Sequence, residues 1–198
     1  MENTTSVAQE MKQAFQTVYK TYITRPGADK LLEWLETKSD FFTAPASTKY
    51  HCSYEGGLCE HSLNVYERLK KLCDMQNSNA VGNETIAIVS LLHDVCKTGY
   101  YTKEMRNVKE NGIWVQKPFY AVEDKVPFGH GEKSVYIISS FMKLTREEAM
   151  AIRWHMGGFD DSVKGGSRAL GEAWNQYSLG VLLHCADLQA TYIDEGGK

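Results

Sequence analysis

The hydrophobic positions along the chain recur at two periods. Val7, Met11, Phe15, Val18 and Tyr22 are spaced by three and four residues, which predicts an amphipathic helix over residues 6–23. "RPGADK" interrupts it, and "ADKLLEWLETK" predicts a short second helix, followed by a loop, "SDFFTAPAST", fixed partly by Pro45. Leu58, Val65, Leu69 and Leu72 predict a third helix over residues 57–75, and His61 falls on its apolar stripe. "NETIAIVSLLHDV" is apolar nearly all round, the pattern of a central core helix. Helical spacing returns in "GEKSVYIISSFMK" and in "LTREEAMAIRWHMGG", which opens on a Thr145-x-x-Glu148 capping box and closes on glycines. "DDSVKGGSRALGEAWNQ" is predicted as a loop, and "YSLGVLLHCADLQATYI" as the last helix.

The period changes over residues 100–128, a stretch rich in aromatic and β-branched residues with Asn111-Gly112 at its middle. That is a hairpin signal. The expected fold is mostly α, with one β-hairpin inserted at about residues 100–128. The expected organisation is a pair of N-terminal helices over 1–44 packing on a domain over 45–198.

With 198 residues and 42% hydrophobic content, one sizeable core is expected. A net charge of -3 implies no general nucleic-acid patch, so a nucleic-acid substrate would have to be held locally. Five cysteines without a CxxC pair point to scattered reduced thiols rather than a disulfide framework or a cysteine zinc knuckle. "MENTTSVAQEMKQAF" has no apolar signal core, and no stretch has the length of a membrane span. A cytoplasmic protein is expected, with no membrane association and no evident protein partner.

The core helix ends on "LLHDVCK", which sets His93 beside Asp94, with Lys97 three residues on. Burying such groups costs several kcal/mol unless they are paired or hold a metal. Partners are available: His61 on its stripe, His130 before the helix after the hairpin, His155 closing the capped helix, and Asp187 within an apolar helix. Neutral imidazoles and carboxylates together suit manganese, iron, zinc, nickel or cobalt. One metal would take three or four of these groups; all of them would hold two, with a carboxylate bridging. Two metals about 3.5 to 4 Å apart stabilise the attacking and leaving oxygens of a phosphoryl transfer, and a water between them becomes a usable hydroxide near neutral pH. Lys97 could then neutralise charge on a non-bridging phosphate oxygen.

Other candidates lie around this set. His51, just before the "GGL" turn, is a candidate substrate contact or leaving-group acid. Lys164 and Arg168, beside paired glycines in "SVKGGSR", are a candidate phosphate grip. His184, one turn before Asp187, is expected in the core or orienting that carboxylate. Tyr100, Tyr101, Trp114, Phe119 and Tyr120 either pack the hairpin onto its domain or form a stacking platform for a base.

Together "GGLCEHSLNV", "LLHDVCK", "FGHGEKS", "RWH" and "ADLQA" resemble the HD-domain superfamily of metal-dependent phosphohydrolases, over roughly residues 45–195. "YHCSYEGGLCEHSLNV" is most similar to the HD module of bacterial 3′-to-5′ exoribonucleases, and also resembles single-domain HD proteins of bacteria and phages. The resemblance implies a helical bundle around two divalent transition-metal ions. It implies metal ligation by His61, His93, Asp94, His130, His155 and Asp187, with Asp94 as the bridge and Lys97 as the family's lysine. The implied activity is hydrolysis of a phosphoester of a nucleotide or short nucleic acid by a metal-activated water, with a diester favoured over a monoester. Two alternatives stay open. One is a mononuclear nucleoside monophosphate phosphatase in which His130 and His155 serve the pocket. The other is a nucleotide-sensing module with little turnover. Cys96 stands where the family often has glycine and is expected to affect local packing only. Two short helices are expected in the place of the OB-like barrel of those exoribonucleases, which disfavours exonuclease activity, and "RWHMGGFD" lacks the double histidine and Gly-Tyr-Pro triplet of the cyclic-dinucleotide branch, which disfavours cyclic dinucleotides.

Overall fold

The computed structural model describes residues 2–76 and 81–196, with side chains from residue 7 onward. It is mostly helical with a single two-stranded sheet among those residues. The N-terminal helices are α1 (Glu2–Tyr22) and α2 (Ala28–Thr37), followed by α3 (Gly57–Met75) and α4 (Asn83–Leu92). Strands β1 (Tyr101–Glu110) and β2 (Ile113–Val122) come next. Helices α5 (His130–Ser139), α6 (Arg146–Arg153), α7 (Asp161–Lys164), α8 (Ala169–Gln176) and α9 (Ser178–Gln189) complete the chain. No helix among the described residues is long and apolar enough to cross a membrane. None of the five cysteines forms a disulfide.

Helix α4 is the centre, as its all-round apolar pattern predicts: every residue from Ile86 to Leu92 is buried. A polar residue there needs an internal partner, and Ser90 finds one by donating its hydroxyl to the Ile86 carbonyl at 2.6 Å. Helix α3 packs against both α4 and α9, and α6 packs against α4, α5 and α9. Helix α1 lies across α3 and α4, burying Phe15 and Tyr19.

A charged cluster fixes these helices relative to one another. Arg25, in the α1–α2 turn, reaches both carboxylate oxygens of Glu148 (2.7 and 2.9 Å) and also Glu84 (3.2 Å). Glu148 is fully buried and completes the Thr145 capping box. Burial pushes the Glu148 carboxyl up, but Arg25, the Thr145 amide and the Thr85 hydroxyl outweigh it and hold the group below its ordinary range. The cluster therefore ties α4 to α6, the helices that end at His93 and His155.

The hairpin turns at Asn111-Gly112, whose φ angles are +49° and +84°. Two consecutive positive φ values define a type I′ turn, which Asn-Gly adopts at low cost. Ten cross-strand pairs run from Tyr101↔Val122 to Glu110↔Ile113, so the regular hairpin is shorter than the predicted stretch. Tyr101 ties its root to the domain by donating to the Ala46 carbonyl at 3.1 Å, while Trp114 near its tip is exposed. Tyr100, Tyr101 and Tyr120 meet edge-on at the root, with ring centroids 5.0 and 6.4 Å apart, whereas Trp114 pairs with Lys109 near the tip.

The predicted loop over 160–176 is largely helical. Asp160 caps α7 by accepting from the Ser162 amide at 2.9 Å, and α8 follows. Ala173 alone is buried on α8, so no apolar stripe marks it, and Gly171 interrupts its propensity.

Candidate metal centre

Two helices end in the same way at the centre of the bundle. A helix leaves its last carbonyls without intrahelical donors. At the end of α4, Nδ1–H of His93 donates to the Ser90 carbonyl at 2.7 Å; just beyond α6, Nδ1–H of His155 donates to the Ile152 carbonyl at 2.6 Å. Each bond fixes the tautomer and turns a bare Nε2 inward. Both Nε2 atoms are buried and have no hydrogen-bond partner. An unsatisfied buried nitrogen is costly unless something else occupies its lone pair. A metal ion fits that requirement, because imidazole binds metals through such a lone pair.

Asp94 lies between these nitrogens, fully enclosed. Its two oxygens divide the surrounding imidazoles into two sets. Oδ2 faces Nε2 of His61 at 3.6 Å and Nε2 of His93 at 3.5 Å. Oδ1 faces Nε2 of His130 at 2.8 Å and Nε2 of His155 at 3.5 Å. Asp187 lies 3.3 Å from Nε2 of His61 and also presents an oxygen within 4.8 Å of ligand nitrogens of both His93 and His155, so it borders both sets. The arrangement brings together all six residues named from the sequence as candidate ligands. Close packing makes it possible on the His130 side: a Cβ on Gly131 would stand 2.2 Å from the Arg153 carbonyl oxygen, so only glycine lets α5 start this near the end of α6.

Lys97 is also present, on the short turn Val95–Lys97, but it is directed at Asp94: Nζ lies 2.6 Å from Oδ2. Of the adjacent His93 and Asp94, the aspartate is thus held in part by the lysine three residues on. Burial alone would lower the Lys97 pKa; Asp94 outweighs it and holds the ammonium above its ordinary range. Burial would raise the Asp94 carboxyl, but Lys97 and the surrounding histidines hold it well below the carboxylate range.

The imidazoles respond to their surroundings in opposite directions. Burial pulls His93 down to about 4. His61 rises to about 10, because Asp187 and Glu195 outweigh its burial. His130 also rises to about 10, with Cys96 and Asp94 outweighing burial. Without a metal, His61 and His130 therefore carry protons at neutral pH, and ligation must displace them.

Glu195 is the residue that the sequence does not reveal. It is buried and accepts from His61 Nδ1 with both oxygens at 3.1 Å, and from Asn64 Nδ2 at 2.9 Å. It thereby holds Nε2 of His61 toward Asp94 and Asp187, the usual role of a carboxylate behind a ligating histidine. Regular helical spacing from Asp187 would bring Asp194 to that face. Instead residues Ala190–Asp194 form a π-helical turn, closed by Glu195 N–H to the Ala190 carbonyl at 3.0 Å. The wider turn shifts the phase by one residue and presents Glu195 inward, while Asp194 pairs outward with Arg68. Glu195→Ala is expected to weaken metal affinity roughly 10- to 100-fold with the fold retained, read by competition with a chromogenic chelator. Unchanged affinity would remove Glu195 from the site.

His51 lies beside His61, with ring centroids 4.8 Å apart, and both of its ring nitrogens are buried without a hydrogen-bond partner. Burial, then His61 and Lys97, lower it to about 4, so it is neutral at physiological pH. His184 turns away from Asp187: its Nδ1–H donates to the His155 carbonyl at 2.6 Å, which supports that histidine's backbone. A cavity of about 490 Å³ opens over the His130 side, lined in part by Cys96, Lys97, Tyr100, His130, Phe159 and Lys164. Of the residues proposed to grip phosphate, Lys164 lines this cavity, paired to Asp161 at 3.1 Å. Arg168 lies on the surface before α8 and is not among its lining residues.

Comparison with known proteins bears on this site. The family model described as HD domain matches residues 58–180. The chain is 35% identical over 74 residues to the dihydroneopterin 2',3'-cyclic phosphate phosphodiesterase of Methanocaldococcus jannaschii. That match covers 36% of this chain and 28% of the relative. No solved structure matches the chain.

Proposed function

The chain belongs to the HD-domain family, and from that premise we propose that it is a metal-dependent phosphodiesterase with a binuclear centre. The observation that supports this reading best is Asp94, whose two oxygens each face two imidazole Nε2 atoms. A carboxylate so placed serves two ions at once, and a single ion would leave one set of nitrogens unused. His61, His93, Asp187 and Asp94 Oδ2 would hold one ion; His130, His155 and Asp94 Oδ1 would hold the other. When bound, the pair would supply Lewis-acid polarisation of a phosphate and of an attacking water.

The chain's own residues account for the rest. Lys97 borders the cavity and carries a fixed positive charge for a non-bridging phosphate oxygen. Tyr100 and Phe159 line the same cavity and suit a planar ring on the substrate. The relative's name specifies a cyclic phosphate diester. A phosphodiester bearing a base-like ring is therefore the proposed substrate class for this chain.

Metal content per chain by elemental mass spectrometry tests the reading, on the purified protein and on a His130→Ala, His155→Ala variant. About two ions falling to about one is expected, with hydrolysis of 2',3'-cyclic nucleotides in preference to nucleoside monophosphates. One ion in both proteins with a preference for monophosphates would replace it with a mononuclear phosphatase. No retention of manganese, iron, cobalt or zinc would end the catalytic reading.

A further inference from the structure

We infer that Cys96 is a thiolate ligand of the metal position formed by His130, His155 and Asp94 Oδ1, so that the two positions select different metals. This rests on the binuclear reading above.

The ligand set implied by the sequence motif contains no sulfur, yet Cys96 stands inside it. Its Sγ lies 3.6 Å from Nε2 of His130, and Asp94, Cys96 and His130 present ligand atoms within 4.8 Å of one another. For zinc, a sulfur at about 2.3 Å and a nitrogen at about 2.0 to 2.1 Å, at a tetrahedral angle, stand about 3.6 Å apart. The Sγ–Nε2 separation matches that value, while Sγ is equally close to Nδ1 at 3.5 Å, so the imidazole and the thiol must turn toward one another to share an ion. A second, independent group points to the same place: Nε2 of His155 is fully buried, without a hydrogen-bond partner, and faces the Asp94 oxygen that His130 faces.

The local fold holds Cys96 there. It follows Asp94 by two residues, on the short turn Val95–Lys97. Its backbone N–H donates to the Ser134 hydroxyl at 3.1 Å, and Ser134 is on α5, the helix that His130 opens. Cys96 and His130 are therefore tied to one another through α5. Cys96 also lines the cavity, so a metal held there is next to the space a substrate would enter.

Binding replaces the S–H proton, which leaves to solvent, with a sulfur–metal bond. A thiolate favours zinc, cobalt or ferrous iron and disfavours manganese and magnesium, which prefer oxygen. The other position, with His61, His93, Asp187 and Asp94 Oδ2, offers only nitrogen and oxygen. The two positions consequently differ in softness, and a soft ion should fill the Cys96 position first.

The full chain loaded with cobalt(II) tests this by absorption, and the zinc-loaded chain by X-ray absorption. Expected are a near-ultraviolet sulfur-to-cobalt charge-transfer band and one sulfur neighbour at about 2.3 Å from zinc. Cys96→Ser and Cys96→Ala should both lose the band while the visible cobalt bands of the remaining position persist. Wild-type protein that holds cobalt without a sulfur band would overturn the inference, and no variant is needed for that result; the Cys96 sulfur would then only accept from Nδ1–H of His130, 3.5 Å away. A band that survives both substitutions would place the sulfur on another cysteine and overturn it equally. A chain that binds neither cobalt nor zinc would overturn the inference, and one that also retains neither manganese nor iron would end the metal reading with it.

Discussion

Asp94→Asn should strip the protein of both metal ions and lower kcat/KM by at least a factor on the order of 10³, more than the loss of a single stabilising donor, while circular dichroism shows the helices intact. The size of the effect follows from its position. Each of the other candidate ligands faces one oxygen set; Asp94 faces both. Asparagine keeps the volume and one carbonyl oxygen but loses the charge that four imidazoles face and that the proposed pair of cations would share. Alanine is the poorer probe. Lys97 is held 2.6 Å from Oδ2, and removing one partner of a buried ion pair costs roughly 3 to 5 kcal/mol. Both substitutions break that pair and should lower the melting temperature of the metal-free chain; alanine lowers it further because no oxygen remains to accept from Lys97, so loss of activity there mixes two causes more strongly. Retention of both ions in the Asn variant would dissolve the bridge.

Much of the frame for this site was legible in the chain. The period of α3 put His61 on its buried stripe, and the uniform apolarity of α4 made a polar ending conspicuous. The Thr145 capping box located α6 and hence His155 at its close. Asn111-Gly112 located the hairpin, because few residues other than Asn and Gly accept two successive positive φ angles. What escaped is what depends on departures from ideal periods or on three-dimensional proximity. Glu195 reaches His61 only because Ala190–Asp194 widens into a π-turn, which no count in steps of 3.6 anticipates. Helices α7 and α8 are short and almost without buried residues, so no hydrophobic pattern announces them. The partner of His184 was not legible from its place along one helix: it shares α9 with Asp187, and its Nδ1–H donates to the carbonyl of His155, which lies beyond α6. That Cys96 stands beside His130 was not legible either, because the sequence does not show how closely the start of α5 approaches the turn after α4.

Lys97→Ala should divide binding from turnover. Nζ of Lys97 lies 2.6 Å from the same Asp94 oxygen that His61 and His93 face, so a metal entering that position would compete with the lysine for it. Occupying that oxygen with a metal ion releases the ammonium, and the cavity it lines is the open space available to it. There it would meet a phosphate oxygen as negative charge builds up, where a preorganised charge is worth the most. Removing it should leave metal content unchanged and tighten affinity at the His61 position, because the competitor is gone. It should also lower kcat by roughly 10²- to 10³-fold, the usual cost of one preorganised stabilising donor. Isothermal titration with manganese and single-turnover hydrolysis of a cyclic phosphodiester read the two effects separately. Loss of metal in Lys97→Ala would mean that the lysine organises Asp94 for ligation rather than competing with it. Unchanged turnover would confine Lys97 to neutralising a buried carboxylate before the metal arrives, leaving phosphate stabilisation to the metals and to other cavity residues.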